Sequence, residues 1–177
     1  MKIALAAAGL AVILASPVLA QSAAEKTGVN SVMGVAPKTE DFVTEAASSD
    51  MFEIESSKLA VERSQDSATK SFAQQMITDH TKTSDELKAM VTGGKVKAKI
   101  PSSMSSAQQS MLDDLKKLNG EDFAKQYRSE QEDAHEDAVD LFKRYGEEGE
   151  NSDLKAWAAK TRPALEHHLM MAKDLNK

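Results

Sequence analysis

Apolar residues recur every three to four positions in four long segments of this chain, and this spacing constrains the fold more than any other feature. That period places them on one face of an α-helix. No stretch shows the strict alternation of apolar and polar residues that is typical of a strand. The four helices are predicted to run from about Thr39 to Arg63, from a cap at Asp66 or Ser67 to Gly93, from Glu121 to about Tyr145, and from a cap at Asn151 or Ser152 to about Leu175. The sequence therefore predicts an all-α four-helix bundle.

The connections between these segments predict how the bundle is wound. Very short turns join the first segment to the second and the third to the fourth, which forces antiparallel neighbours. The connection from Gly93 to Gly120 is much longer and includes a predicted short helix near 104–118. Such a crossover can return along the length of the bundle, so that the third helix runs parallel to the second, as in ferritin-like folds. The alternative is an up-down-up-down bundle with an extra surface helix.

The N-terminus has the pattern of an export signal. Lys2 precedes an apolar run over 3–15, and Val18-Leu19-Ala20 forms a small-residue cleavage site, which predicts cleavage near Ala20. The protein is therefore expected in the periplasm or outside the cell, and no later stretch is apolar enough to predict a transmembrane segment. The predicted divisions are a signal peptide over 1–20, a mobile leader over 21–39 and the bundle domain over 40–177.

Composition excludes several classes of function. The chain has no cysteine, so it has neither disulfides nor thiolates for catalysis or metal binding. Its formal net charge of −6 makes nucleic acid a poor partner. Neither a nucleophile elbow nor a Gly-rich phosphate loop is present.

Four ionisable residues fall on the predicted inward faces, each near the middle of its own helix: Glu53, His80, His135 and His168. Such side chains seldom lie on an apolar face unless they are paired, hydrogen-bonded or bound to a metal. Imidazole and carboxylate ligands without thiols suit zinc, copper(II), iron or manganese. The residues predicted to support this site, or to replace a member of it, are Asp79, Tyr127 and Glu130.

The distances of these residues from the helix ends predict which of them lie side by side in the bundle. Glu53 and His80 are almost equally far from the turn between their helices, so they are expected to face each other. His80 and His135 lie at similar distances from their helix starts. His168 does not match this level, and a kink at Pro163 is one way in which the offset would be corrected.

The inward residues permit three hypotheses about function. The first is a periplasmic, non-enzymatic bundle that binds a transition metal and acts in envelope stress. The second is a metal-dependent oxidoreductase of ferritin-like type, and the third is a structural bundle with a buried His/Glu polar layer. A di-iron centre needs Glu-x-x-His on two helices. Only Glu132 and His135 have that spacing, and Glu132 is on the far side of its helix.

Several short segments also carry a resemblance to a known family. They are Phe42-Val43, Met51-Phe52-Glu53-Ile54, Ser57-Lys58-Leu59-Ala60, Phe72-Ala73, Met76, Asp79-His80 and Pro163-x-Leu165-x-x-His168-Leu169. Together with the signal peptide they resemble a bacterial exported family catalogued as domain of unknown function 4142. The resemblance covers about residues 40 to 175 and implies a ferritin-like helical bundle, without an established activity.

The same resemblance implies which positions recur in the family. These positions are Glu53, Asp79, His80, His135 and His168. One local departure is Ser56-Ser57, where many members have Leu-Gly.

Overall fold

The computed structural model describes Glu25 and residues 28–177, and residues 28–177 contain six helices. They are α1 (Val29–Met33), α2 (Thr39–Arg63), α3 (Ser67–Thr92), α4 (Ser106–Lys117), α5 (Gly120–Glu148) and α6 (Ser152–Leu175). No strand occurs in these residues. The all-α prediction is confirmed, whereas the predicted signal peptide lies outside the described residues.

Local side-chain hydrogen bonds begin three of these helices. The Asp66 carboxylate accepts the Thr69 backbone N–H at 2.8 Å and the Thr69 hydroxyl at 2.6 Å. Ser105 and Gln108 form a capping box at the start of α4. The Asn151 side chain accepts a first-turn N–H of α6 at 2.9 Å. Each cap satisfies backbone donors that a helix start leaves without partners, which explains why these helices begin where they do.

The direction of α5 follows from its contacts with α2. Phe42, near the start of α2, stacks on Tyr145 near the end of α5, with ring centroids 4.2 Å apart. Toward the other end of α2, the Ser57 hydroxyl lies 2.9 Å from the Tyr127 hydroxyl. Helix α5 therefore runs antiparallel to α2 and in the same direction as α3, and the connection that contains α4 spans the length between them.

Helix α6 completes the arrangement by packing against both α5 and α3. The Lys173 ammonium lies 2.6 Å from the Glu136 carboxylate of α5. The Trp157 indole N–H donates to Glu86 of α3 at 2.8 Å. Each of the four long helices thus packs against two of the others, with α3 and α5 at opposite corners.

The buried core is divided into two apolar clusters. The first surrounds Phe42, Leu87, Tyr145 and Leu154, and the second surrounds Phe72, Met76, Phe123 and Ala172. On all four helices, buried polar residues lie between the two clusters. We call this region the polar layer, and it contains Asp50, Glu53, Ser56, Ser57, His80, Gln131, His135 and His168.

The described part of the predicted leader contacts α5. Residues 29–33 form α1, and the Arg144 guanidinium of α5 donates to Glu25 at 2.9 Å and to the Val35 carbonyl at 2.8 Å. The Ser31 hydroxyl donates to Asp140 at 2.8 Å. These contacts join residues more than a hundred positions apart, so hydrophobic periodicity could not reveal them.

None of the helices in the described part of the chain combines the length and the apolar character that crossing a membrane requires.

Candidate metal centre

Three imidazoles meet inside the polar layer, each supplied by a different helix. His80 is on α3, His135 on α5 and His168 on α6, and all three are at most 3 % exposed. Their ring centroids are 5.5 to 5.6 Å apart. One ligand nitrogen from each ring lies within 4.8 Å of the other two. The three helices therefore bring three imidazoles to one point in the core.

Each imidazole is held by a hydrogen bond from one of its two ring nitrogens to an oxygen. The pairs are His80 Nδ1 with Asp50 Oδ1 at 2.8 Å, His135 Nδ1 with the Gln131 carbonyl at 2.8 Å, and His168 Nε2 with Asp79 Oδ2 at 2.9 Å. Carbonyl and carboxylate oxygens only accept, so the bonded nitrogen is the one that carries the proton. In a neutral ring this places the lone pair on the other nitrogen.

The second nitrogen of each ring has no hydrogen-bond partner although it is buried. These atoms are His80 Nε2, His135 Nε2 and His168 Nδ1. An imidazole with one N–H held by an oxygen and the other nitrogen free is the form in which histidine binds metals. The cluster thus presents three preoriented nitrogen ligands.

The separation of the ring nitrogens can be compared with the bond lengths in a zinc–imidazole site. Three atoms at most 4.8 Å apart lie at most about 2.8 Å from a common centre, while zinc–imidazole bonds are roughly 2.0–2.1 Å. Each ring would have to move inward by at most about 0.7 Å to coordinate zinc. A shift of this size is within the range of a small side-chain rotation.

Glu53 of α2 lies beside the three rings, where the Gln131 side chain and the charge of His80 offset its burial only in part. It is 1 % exposed, and both carboxylate oxygens are without a hydrogen-bond partner. Its Oε1 lies 4.0 Å from His135 Nδ1. Burial raises the pKa of Glu53 to about 7, although the nearby charge of His80 acts in the opposite direction. Glu53 is therefore a buried carboxylate beside the Nδ1 side of His135, next to the group of three histidines and not a member of it.

The three histidines differ in how their surroundings affect protonation. Burial, reinforced by the charge of His80, lowers the pKa of His135 to about 3 and also lowers the pKa of His168. Burial acts in the same direction on His80, but the hydrogen bond and charge of Asp50, with Glu53, raise its pKa overall. Two rings are thus neutral, as metal ligands must be, and the third competes with a proton.

Comparison with known proteins agrees with the resemblance in the sequence. The family model described as Domain of unknown function (DUF4142) matches residues 24–175. The chain belongs to this family. No curated protein and no solved structure matches it. The matched range contains all four long helices and the whole polar layer, so the candidate site of this DUF4142 member lies within the family's own domain.

The structure brings the four predicted residues into the same layer, but the hydrogen-bond partner of His80 differs from the prediction. His80 was expected to face Glu53, but its hydrogen bond is to Asp50, one turn earlier on α2. His168 was the predicted site residue with the poorest match in level, and its ring lies 5.6 Å from His80 and 5.5 Å from His135, with the other two. Helix α6 continues through Pro163, and His168 reaches the layer from it.

The three residues that the sequence predicted as supporting or alternative ligands lie in different surroundings. Asp79 holds His168, as a supporting residue should. The Tyr127 hydroxyl bonds to Ser57, and the Glu130 carboxylate accepts from a glutamine of its own helix at 2.7 Å. Among the described residues, neither Tyr127 nor Glu130 hydrogen-bonds to an imidazole. Of the three, only Asp79 belongs to the candidate site.

Sequence reasoning missed two residues that hold the rings, Asp50 and Gln131. Both precede a predicted ligand by one helical turn, since Asp50 stands three positions before Glu53 and Gln131 four before His135. Asp50 also accepts hydrogen bonds from Thr83 and Ser84. The sequence pattern that could have identified them is a second polar residue on the inward face, one helical turn before the predicted ligand.

Proposed function

We propose that this protein binds one first-row transition metal ion in the polar layer. The ligands are His80 Nε2, His135 Nε2 and His168 Nδ1, and the Glu53 carboxylate, which lies beside this group, becomes the fourth by turning toward the ion. The observation that carries the proposal is the set of three buried nitrogens without partners, each on a ring whose other nitrogen is held by an oxygen. This is the arrangement of a histidine metal site with its supporting shell.

The donor set favours zinc among the candidate metals. Three imidazole nitrogens and one carboxylate oxygen match the four-coordinate sites that zinc adopts, while copper(II), iron and manganese also accept these donors. The site is enclosed, since its three histidines are at most 3 % exposed. Enclosure with four protein ligands is typical of a structural ion, whereas catalysis requires an open coordination position. The geometry thus supports metal binding more than oxidoreductase activity.

A purely structural polar layer explains the same residues less well. Such a layer fixes helix register when its groups satisfy one another. Here each histidine leaves one buried nitrogen without a partner, and Glu53 leaves two oxygens. Each such group costs roughly 1–3 kcal/mol. A bound ion satisfies all of them together.

We further infer a ferritin-like winding and an extracytoplasmic location. The winding is supported by the common direction of α3 and α5 and by the long connection that contains α4. The location, in the periplasm or outside the cell, is supported by the signal-peptide pattern at the N-terminus. A metal-stabilised bundle at that location fits a role in envelope stress, which is the physiological function that we propose.

The test is metal titration of chelator-treated protein. Zinc and cobalt(II) are expected to bind with one ion per chain, and His80→Ala or His135→Ala should abolish stoichiometric binding while retaining helix content. His167→Ala is the matched control, because His167 neighbours His168 but is exposed. The proposal fails if the wild-type protein takes up none of zinc, cobalt(II), copper(II), iron(II) and manganese(II). It also fails if the His167 variant loses binding to the same extent as the others.

A further inference from the structure

A surface groove lies between α2, α5 and the segment that leads into α4, outside the polar layer. Its volume is about 560 Å³, within the range of roughly 300–1,000 Å³ that is usual for small-molecule sites. Phe52, Ala138 and Leu141 form an apolar floor, and Met104 and Met111 add flexible thioether side chains. The groove can therefore accept a ligand with an aliphatic body.

The wall of the groove formed by α4 is fixed to α2. The Ser48 hydroxyl of α2 donates to Gln108 Oε1, and the Ser105 backbone N–H donates to the Ser48 hydroxyl at 2.7 Å. Ser105 and Gln108 are also the two residues of the capping box that begins α4. Because the same residues cap the helix and attach it, the groove is formed before any ligand binds.

The charged residues that line the groove are all acidic. Asp133 and Asp137 of α5 and Glu45 of α2 line it, and no lysine or arginine does so in the described chain. Neither aspartate forms an ion pair within the described residues. Partial burial, and then the charges of Asp133, Asp140 and Glu136, raise the pKa of Asp137. Negative potential is thus concentrated along one wall above an apolar floor.

The spacing of the two aspartates selects the shape of the cation. Asp133 and Asp137 are four positions apart on one helix, which puts their Cβ atoms roughly 5–6 Å apart. Two ammonium groups joined by four methylenes are also roughly 6 Å apart, so both can pair at once. We propose that the groove binds a linear aliphatic polyamine, with ammonium groups on Asp133 and Asp137 and its methylenes along the apolar floor.

Calorimetric titration with spermidine at low ionic strength tests this proposal. Binding of one spermidine per chain is expected, and replacing both Asp133→Asn and Asp137→Asn should weaken it by about 10-fold or more. The matched control combines Glu121→Gln with Asp122→Asn, which removes the same charge at the exposed start of α5. The control variant should bind spermidine as the wild type does.

A second pair of variants tests the groove without removing a carboxylate. Met111→Lys places a cation in the groove and should abolish binding, whereas Met170→Lys adds the same charge at an exposed position of α6 and should not. Absence of spermidine binding overturns the proposal, as does equal weakening in the control variants. It is also overturned if magnesium at the same ionic strength displaces spermidine fully, or if a lysine-rich peptide binds the groove and spermidine does not.

Discussion

Replacing Glu53 by Gln should change how the stability of the metal-free protein depends on pH. The folded state holds the Glu53 carboxyl at a pKa of about 7, against 4.5 without burial. A carboxyl whose pKa is raised on folding favours the folded state only while it is protonated. The stability from this group is therefore complete below about pH 4.5 and is lost as the pH rises through 7.

The size of this effect follows from the two pKa values. A shift of this size corresponds to about 3 kcal/mol at full ionisation, and about 2–3 kcal/mol of it appears between pH 5 and pH 8. Conversion to free energy is justified because Glu53 is 1 % exposed, so solvent screens it little. Glutamine has nearly the same shape and no charge. The variant should therefore gain about 2–3 kcal/mol over the wild type between these two pH values.

The assay is urea unfolding of chelator-treated wild-type and variant proteins at pH 5 and pH 8, followed by circular dichroism. The Glu53 charge also raises the pKa of His80, so the titration of His80 is followed by NMR in both proteins and its contribution is subtracted from the difference. Glu55→Gln is the control, because Glu55 is exposed and lies on the same helix. A wild-type-to-variant difference that stays constant between the two pH values within about 0.5 kcal/mol would refute the reasoning about the buried carboxylate.

Three further predictions concern the polar layer. Asp50→Asn removes the charge that raises the pKa of His80, so NMR titration should show a lower pKa for this ring, and calorimetry should show zinc binding weakened by about 10- to 100-fold. Tyr127→Phe leaves the buried Ser57 hydroxyl without its partner and should lower the free energy of unfolding by about 1–3 kcal/mol in urea titration. Zinc at 100 times its dissociation constant should stabilise the fold by about 2.7 kcal/mol, seen as a higher melting temperature that chelation reverses.

The fold was largely predictable because its determinants are local. Apolar residues at helical spacing identified the four long helices, and the caps at Asp66 and Asn151 identified two helix starts. The N-terminal contact of Glu25 with Arg144 was not predictable, since it depends on two charged residues that only the folded chain brings together. Periodicity reports which face of a helix is buried and contains no information about such pairs.

The candidate site was predictable in membership and less so in geometry. Direction around a helix placed Glu53 and the three histidines on inward faces, and the structure has them there. The position of each residue along the bundle axis was harder to predict. It was counted from the helix ends, and small differences in how the helices pack can change it by one helical turn. Counting from helix ends paired His80 with Glu53, whereas Asp50 holds its ring, and it gave His168 an offset that the structure does not have.

The polar layer is costly unless something binds to it. It separates two apolar clusters, keeps the Glu53 carboxyl buried with a raised pKa, and leaves a nitrogen on each of three rings without a partner. Each unsatisfied group costs roughly 1–3 kcal/mol, which is a large fraction of a net stability of roughly 5–15 kcal/mol, so a compensating interaction in this layer would be strongly stabilising. If the unpaired nitrogens and the buried carboxyl had separate causes, those causes would all have to act at neighbouring residues on four helices. The cation that we propose would offset the charge of Glu53, satisfy the three nitrogens and leave the bonds to Asp50, Asp79 and the Gln131 carbonyl unchanged, and this is the argument for a bound ion over a structural role.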